Sequence, residues 1–179
     1  LDSTSKEVTY GDSITLKASV TSDTPQTVTW KSSNTAVATV KDGIVTATGK
    51  GTAKITASLP NGRSAVCTVK VTTKKLPTSG YSYASTAQYT GSAIIPTVTV
   101  KDGSKVLRQN IDYRVIVTNN VKIGHANITI SGMGNYYGSY TAGFDIIPAK
   151  QTIQKLETRY KGFFVDWAQK GSATGYDIQ

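Results

Sequence analysis

The chain has 179 residues and a formal charge of +9, from 20 Lys and Arg against 11 Asp and Glu. This length allows one large domain or two small ones. No apolar run approaches the roughly 18 residues of a membrane-spanning helix, so no membrane span is expected in this segment. The basic residues are scattered rather than clustered, which argues against a nucleic-acid partner. Thr, Val, Ser, Gly and Tyr are abundant and no helical periodicity is present, so the chain is predicted to be all-β.

Residues 1–73 are predicted to form a first module, because hydrophobic and polar residues alternate there in short runs. Ala65, Cys67, Val69 and Val71 alternate in one such run, so the Cys67 thiol is expected to be buried and unreactive. Trp30 is expected at the centre of the core. The dipeptides Asp42-Gly43 and Asn61-Gly62 predict two-residue hairpins. The expected strands are 7–10, 14–20, 27–33, 36–41, 43–48, 52–58 and 64–72.

The run VTWKSSNTAVATVKDGIVTATGKGTAKITA, residues 28–57, resembles the bacterial immunoglobulin-like domain of group 2. That family repeats a V-x-W-x-S-S-[DN] motif followed by alternating Val, Ala and Gly, and the resemblance implies an antiparallel Ig-like β-sandwich. The matching positions are Trp30, Ser32, Ser33, Asn34, Val37, Ala38, Val40, Gly43, Val45, Ala47, Gly51, Ala53 and Ile55.

Residues 74–149 are predicted to form a second β-sandwich, which begins with the linker-like sequence KKLPTSG. The motifs Y-T-G, D-Y, N-N and G-x-G-N-Y resemble the Ig-like repeats of Gram-positive surface proteins. Asn110 stands where that pattern has Gly, and Asn tolerates the left-handed conformation, so the turn is expected to persist. One buried row is predicted to contain Ile111, Tyr113, Val115 and Val117.

Residues 150–179 are too few for a domain and resemble the start of a fibronectin type III module, through Trp167 and the later Gly175-Tyr176. Two strands and part of a third cannot bury Trp167 alone. The natural chain is therefore expected to continue beyond Gln179.

The residue inventory argues against an enzyme. The one histidine, His125, alternates with Asn127 and Thr129 and is expected to face solvent, so it is not placed for general base catalysis. One His and one Cys cannot supply the three or four ligands of a zinc site. Paired carboxylates suited to glycoside hydrolysis are not evident. No catalytic residue, metal or cofactor is therefore predicted.

Tyrosines provide the one candidate binding surface, because an exposed Tyr ring stacks on partners and its hydroxyl hydrogen-bonds. Seven of the ten tyrosines lie between Tyr81 and Tyr140. Two interpretations stay open: packing in cores and corners, or contact with a glycan or protein. The candidate contacts are Tyr81, Tyr83, Tyr136 and Tyr137.

Together the two Ig-like resemblances imply tandem antiparallel Ig-like modules of an extracellular bacterial protein, at the cell surface or in the cell wall. Such modules serve as stalks or spacers and in adhesion. The implied partners are neighbouring modules of the same chain and host or plant glycans or extracellular matrix protein. The alternative is a carbohydrate-binding accessory region of a larger secreted hydrolase, which the tyrosines favour.

Overall fold

The computed structural model describes residues 1–21, 25–149, 153–159 and 162–167. Within these residues the chain is all-β, which confirms the predicted class. The strands, in chain order, are β1 (Ser5–Thr9), β2 (Ser13–Thr15), β3 (Thr29–Ser32), β4 (Ala38–Lys41), β5 (Ile44–Ala47), β6 (Gly51–Ser58), β7 (Ser64–Thr72), β8 (Lys74–Lys75), β9 (Tyr81–Ser82), β10 (Thr86–Gln88), β11 (Thr99–Asp102), β12 (Lys105–Val106), β13 (Tyr113–Thr118), β14 (Gly124–Gly132), β15 (Tyr136–Tyr137), β16 (Ser139–Ile147), β17 (Ile153–Arg159) and β18 (Gly162–Trp167).

The chain divides into two compact units. Unit 1 contains Leu1–Leu76 together with two later segments, Arg108–Arg114 and Ser131–Gly138. Unit 2 contains Pro77–Leu107, Val115–Ile130 and the described residues from Ser139 onward.

Unit 1 is a β-sandwich with sheets of strand order β1-β7-β6-β3 and β2-β5-β4. Its core forms where the inward rows of both sheets meet, because alternate residues of a strand point to the same face. Cys67 is fully buried there, as its alternation predicts. The buried residues of this core are Val8, Leu16, Val37, Ala38, Val45, Ala47, Ala53, Ile55, Cys67, Val69 and Val71.

Three pairings differ from the expected antiparallel arrangement. Strand β1 pairs in parallel with β7, β10 with β16, and β8 with β15. These partners lie far apart in the chain, so no hairpin forces them to be antiparallel. The remaining pairings of the unit 1 sandwich are antiparallel.

Trp30 is half-buried and packs against the core instead of filling its centre. The reason is that β3 is an edge strand of its sheet, so the ring is covered from one side. The ring lies next to Gly43, where an added Cβ would stand 2.6 Å from the Leu16 carbonyl oxygen and 3.2 Å from Trp30 Cζ2. Close packing therefore requires glycine at this turn.

Two of the three turn predictions discussed above are confirmed by the structure. Asp42 and Gly43 have φ of 49° and 82° and join β4 to β5 as the predicted two-residue hairpin. Asn110 has φ of 65°, which confirms the left-handed conformation expected for it. The prediction of a two-residue hairpin at Asn61-Gly62 is wrong. Strand pairing ends at Ser58 and Ser64, and the longer loop between them closes with a hydrogen bond from Leu59 N–H to the Arg63 carbonyl oxygen.

Unit 2 contains the sheets β10-β16-β14-β13 and β12-β11-β9. Strands β17 and β18 pair in antiparallel orientation, and Gly175-Tyr176 lies outside the described residues. The buried hydrophobic residues of this unit are Val98, Val100, Leu107, Ala126, Ile128, Ile130, Phe144 and Ile146.

The buried row expected from Ile111 to Val117 is only partly present. Tyr113 is buried, Val115 and Val117 are half-buried, and Ile111 is 52% exposed. Ile111 precedes β13 and lies in a turn, which the buried carboxylate of Asp112 holds by accepting a 2.9 Å hydrogen bond from Arg108 N–H. The alternation therefore starts at Tyr113.

Candidate functional site

Tyr81 and Tyr140 form a parallel ring stack in unit 2, with centroids 3.8 Å apart and an interplanar angle of 5°. Tyr81 lies opposite the buried Val100 on β11, so its ring points to the inward side of its sheet. Its hydroxyl donates a 2.6 Å hydrogen bond to the Pro77 carbonyl oxygen. Burial raises the pKa of Tyr81, and the neighbouring Tyr140 raises it further. Tyr81 is thus fixed in both ring plane and hydroxyl direction.

Tyr83 is a neighbour of Tyr140. Burial is the main cause that raises the pKa of Tyr83, and the contact with Tyr140 raises it further. Both Tyr81 and Tyr83 keep part of their surface accessible to solvent. We call Tyr81, Tyr83 and Tyr140 the tyrosine cluster. It is a half-buried aromatic surface that carries three phenol groups.

The other two candidates lie in the segment 131–138 of unit 1. Tyr136 is 3% exposed and packs edge-to-face on Tyr10, with centroids 5.5 Å apart. Its neighbour Tyr137 is 51% exposed. Asn135 anchors the segment, because its Oδ1 accepts a 2.7 Å hydrogen bond from Lys50 N–H. Tyr136 is therefore used in packing, and Tyr137 presents its ring to solvent.

His125 lies on the solvent side of β14, as the sequence predicts. Its Nδ1 is 2.8 Å from Asp145 Oδ1, and both side chains are largely exposed. The imidazole rests against Gly143, where a Cβ would collide with Nε2. The contact between His125 and Asp145 is an exposed hydrogen bond on the sheet surface.

Cys67 is the free thiol of unit 1, and burial raises its pKa. A protonated, enclosed thiol is a poor nucleophile. Among the residues that the structure describes, no group of three or more His, Cys, Asp and Glu is arranged to hold a metal ion. The same residues include no helix long and apolar enough to cross a membrane.

One surface was not singled out from the sequence: the solvent-facing side of the β1-β7-β6-β3 sheet. Ser5, Glu7, Thr52, Thr68 and Lys70 border a shallow depression of about 370 Å³ there. The signal was present in TAKIT and CTVKV, where Lys and Thr alternate with buried residues. Which lysines become neighbours depends on strand register, which this pattern does not give.

Residues 17–60 match a family model described as "Intimin, immunoglobulin-like domain". These residues begin after β2 and contain β3, β4, β5 and β6, which belong to both sheets of the unit 1 sandwich. Over these residues unit 1 is similar to a bacterial Ig-like domain.

A second comparison finds similarity to a protein named as an enzyme. A stretch of 51 residues, 28% of the chain, is 57% identical to a lacto-N-biosidase of Bifidobacterium bifidum. The match covers 5% of that protein's length. The similarity therefore concerns one short segment of that protein.

Proposed function

We propose that the chain is a non-catalytic, extracellular part of a bacterial cell-surface protein, where it acts as a stalk or spacer and takes part in adhesion. The observation that carries this proposal is the intimin-type Ig-like match within a folded sandwich. A β-sandwich with a continuous core holds its shape without a cofactor, which suits a module that positions other domains.

Within this proposal, residues 1–73 are a group 2 Ig-like domain and 74–149 are a surface-protein Ig-like repeat. Residues 150–179 begin a fibronectin type III-like module. The antiparallel hairpin of β17 and β18 supports a strand-rich start for that third module. Neighbouring modules of the same chain are the first partners of such an array.

A module swap on the bacterial surface tests the spacer function. Residues 1–149 are replaced, in the natural surface protein, by two unrelated β-sandwich domains of the same total length. We expect adhesion to be kept by the replacement and lost on simple deletion, because a spacer contributes reach rather than a site. Loss of adhesion in the replacement, with unchanged surface display measured by antibody, contradicts the spacer function.

The alternative function is a carbohydrate-binding accessory region of a larger secreted hydrolase. The similarity to a segment of a lacto-N-biosidase favours it. The tyrosine cluster also favours it, because a fixed, partly exposed aromatic ring suits stacking on a sugar ring. Host or plant glycans and extracellular matrix protein are the partners to test.

A binding screen separates the two functions. The purified chain is tested against mucin, neutral plant polysaccharides and matrix proteins in moderate salt, which screens charge-driven attraction. Saturable binding that is lost in Tyr81→Ala or Tyr83→Ala, with Tyr137→Ala as the exposed control, supports the accessory function. Binding that none of these substitutions changes removes the tyrosines as ligand contacts.

A further inference from the structure

The solvent-facing side of the four-stranded sheet of unit 1 carries lysines in a regular order. Strand pairing sets Lys31 directly opposite Thr56, Lys54 opposite Thr68, and Lys70 opposite Thr52. Directly opposite residues of paired strands point to the same face. Each lysine therefore has a threonine as its immediate neighbour on that face, and we call these three pairs the Lys–Thr row.

The three pairs lie on one diagonal of the sheet. Lys31 is opposite Thr56, which stands two residues from Lys54 along β6. Lys70 is opposite Thr52, which stands two residues from Lys54 in the other direction. Diagonal neighbours on adjacent strands are about 7–8 Å apart, so the row has a regular step. A periodic surface of this kind complements a polymer better than a compact ligand.

Five of the six polar groups of the row are available for a partner, whereas Lys70 forms an ion pair with Glu7. Lys31 and Lys54 are exposed and form no ion pair within the described part of the chain. The hydroxyls of Thr52, Thr56 and Thr68 make no side-chain hydrogen bond with any described residue. Their hydrogen-bonding capacity is therefore satisfied by solvent or by a ligand.

The charge of the face is mainly positive. Among its described residues, Glu7 is the one acidic side chain on these strands, 3.1 Å from Lys70. The chain as a whole is also basic, with a formal charge of +9. An anionic partner is thus attracted both at long range and at the face itself. The outward positions of the four strands carry no aromatic ring for stacking nucleic-acid bases.

We propose that the Lys–Thr row binds a linear acidic polysaccharide. Each pair offers an ammonium group to a carboxylate and a hydroxyl to the sugar hydroxyls beside it. A polymer that carries both groups in every repeat uses the whole row, whereas inorganic polyphosphate uses the lysines alone. This inference adds a binding surface to the proposed surface module and does not involve the tyrosine cluster.

Two charge-matched triple variants of the full 179-residue chain test the proposal. The first, Lys31→Gln/Lys54→Gln/Lys70→Gln, removes the ammonium groups of the row. The control, Lys17→Gln/Lys41→Gln/Lys50→Gln, removes three exposed lysines of unit 1 away from it. Both lower the formal charge of +9 by three. Thermal unfolding of each variant establishes that it is folded.

Binding is measured by calorimetry with polygalacturonate, with neutral dextran and with inorganic polyphosphate. We expect polygalacturonate to bind and dextran not to bind. In the first variant, loss of three exposed ion pairs with the polymer is expected to weaken polygalacturonate binding by about tenfold or more. In the control variant, binding is expected to weaken by less than about threefold. Equal losses in the two variants, or no binding of polygalacturonate, overturn the proposal, because diffuse charge then explains any attraction.

A third variant isolates the hydroxyl groups. Thr52→Val/Thr56→Val/Thr68→Val keeps side-chain shape and strand propensity and leaves the charge unchanged. We expect it to weaken polygalacturonate binding and to leave polyphosphate binding unchanged. Equal behaviour toward both polymers overturns the polysaccharide as the partner. Tyr81→Ala and Tyr83→Ala are expected to bind polygalacturonate normally, so this test and those of the proposed function can fail separately.

Discussion

Tyr136→Ala is the substitution that best separates packing from ligand contact among the candidate tyrosines. Tyr136 is 3% exposed and touches Tyr10 edge-to-face, so truncation leaves a cavity beside that ring. Replacing a buried large aromatic side chain by Ala costs about 3–5 kcal/mol. The edge-to-face pair accounts for roughly 0.5–1.5 kcal/mol of this. We therefore expect unit 1 to lose about 3 kcal/mol of its free energy of unfolding.

The assay follows Trp30 fluorescence in a Trp167→Phe background, since the chain has two tryptophans and Trp30 is in unit 1. For a domain of 60–100 residues, 1 kcal/mol shifts Tm by about 4–8 °C, so Tm should fall by roughly 12 °C or more. Tyr137→Ala is the neighbouring control: its side chain is 51% exposed, and the expected cost is within about 0.5 kcal/mol.

A double-mutant cycle with Tyr10→Ala completes the test. The two substitutions should couple by about 1 kcal/mol, because either one alone removes the ring contact. The packing argument is refuted if Tyr136→Ala changes Tm by less than about 3 °C while it abolishes binding to a glycan or protein.

Three further outcomes are expected. Gly43→Ala should lower the free energy of unfolding in urea by about 2 kcal/mol or more, because the added Cβ meets a carbonyl oxygen at 2.6 Å. The control Gly62→Ala should cost about 1 kcal/mol, because Gly62 has a similar φ (83° against 82° at Gly43) but no atom within 4 Å of the added Cβ. Equal costs for the two substitutions would exclude the clash. Burial raises the pKa of Cys67, so the thiol should resist a thiol reagent at pH 8 in the native protein and react after unfolding. Rapid labelling of the native protein would contradict the burial of the thiol. The contribution of Cys67 to stability is complete below about pH 8.5 and declines as pH rises. Tyr81→Phe removes the 2.6 Å hydrogen bond to Pro77 and should lower the free energy of thermal unfolding by about 1 kcal/mol. The signal of the ring stack in the near-ultraviolet circular dichroism spectrum should be unchanged. Loss of that signal would mean that the hydroxyl positions the ring.

The local sequence pattern was sufficient to predict the structure where residues adjacent in sequence determine the conformation. Strand β7 has the predicted bounds, and Cys67 is buried because alternation with a period of two determines which side chains share a face. Asn110 adopts the left-handed conformation because its short polar side chain tolerates it. The all-β class, the Asp42-Gly43 hairpin and the exposure of His125 follow from the same local rules.

Tertiary structure alone decided which distant segments meet. The parallel pairing of β1 with β7 joins strands from opposite ends of the segment Leu1–Leu76, and no local signal specifies a partner across that separation. The half-burial of Trp30 follows from the edge position of β3, and Ile111 is exposed because the turn held by Asp112 precedes the strand. The stack of Tyr81 on Tyr140 and the packing of Tyr136 on Tyr10 also join residues far apart in sequence. The Lys–Thr row illustrates the reason: alternation placed each lysine on the solvent side, but a register shift between strands would change its neighbours, and the pairing of whole strands is what fixes that register.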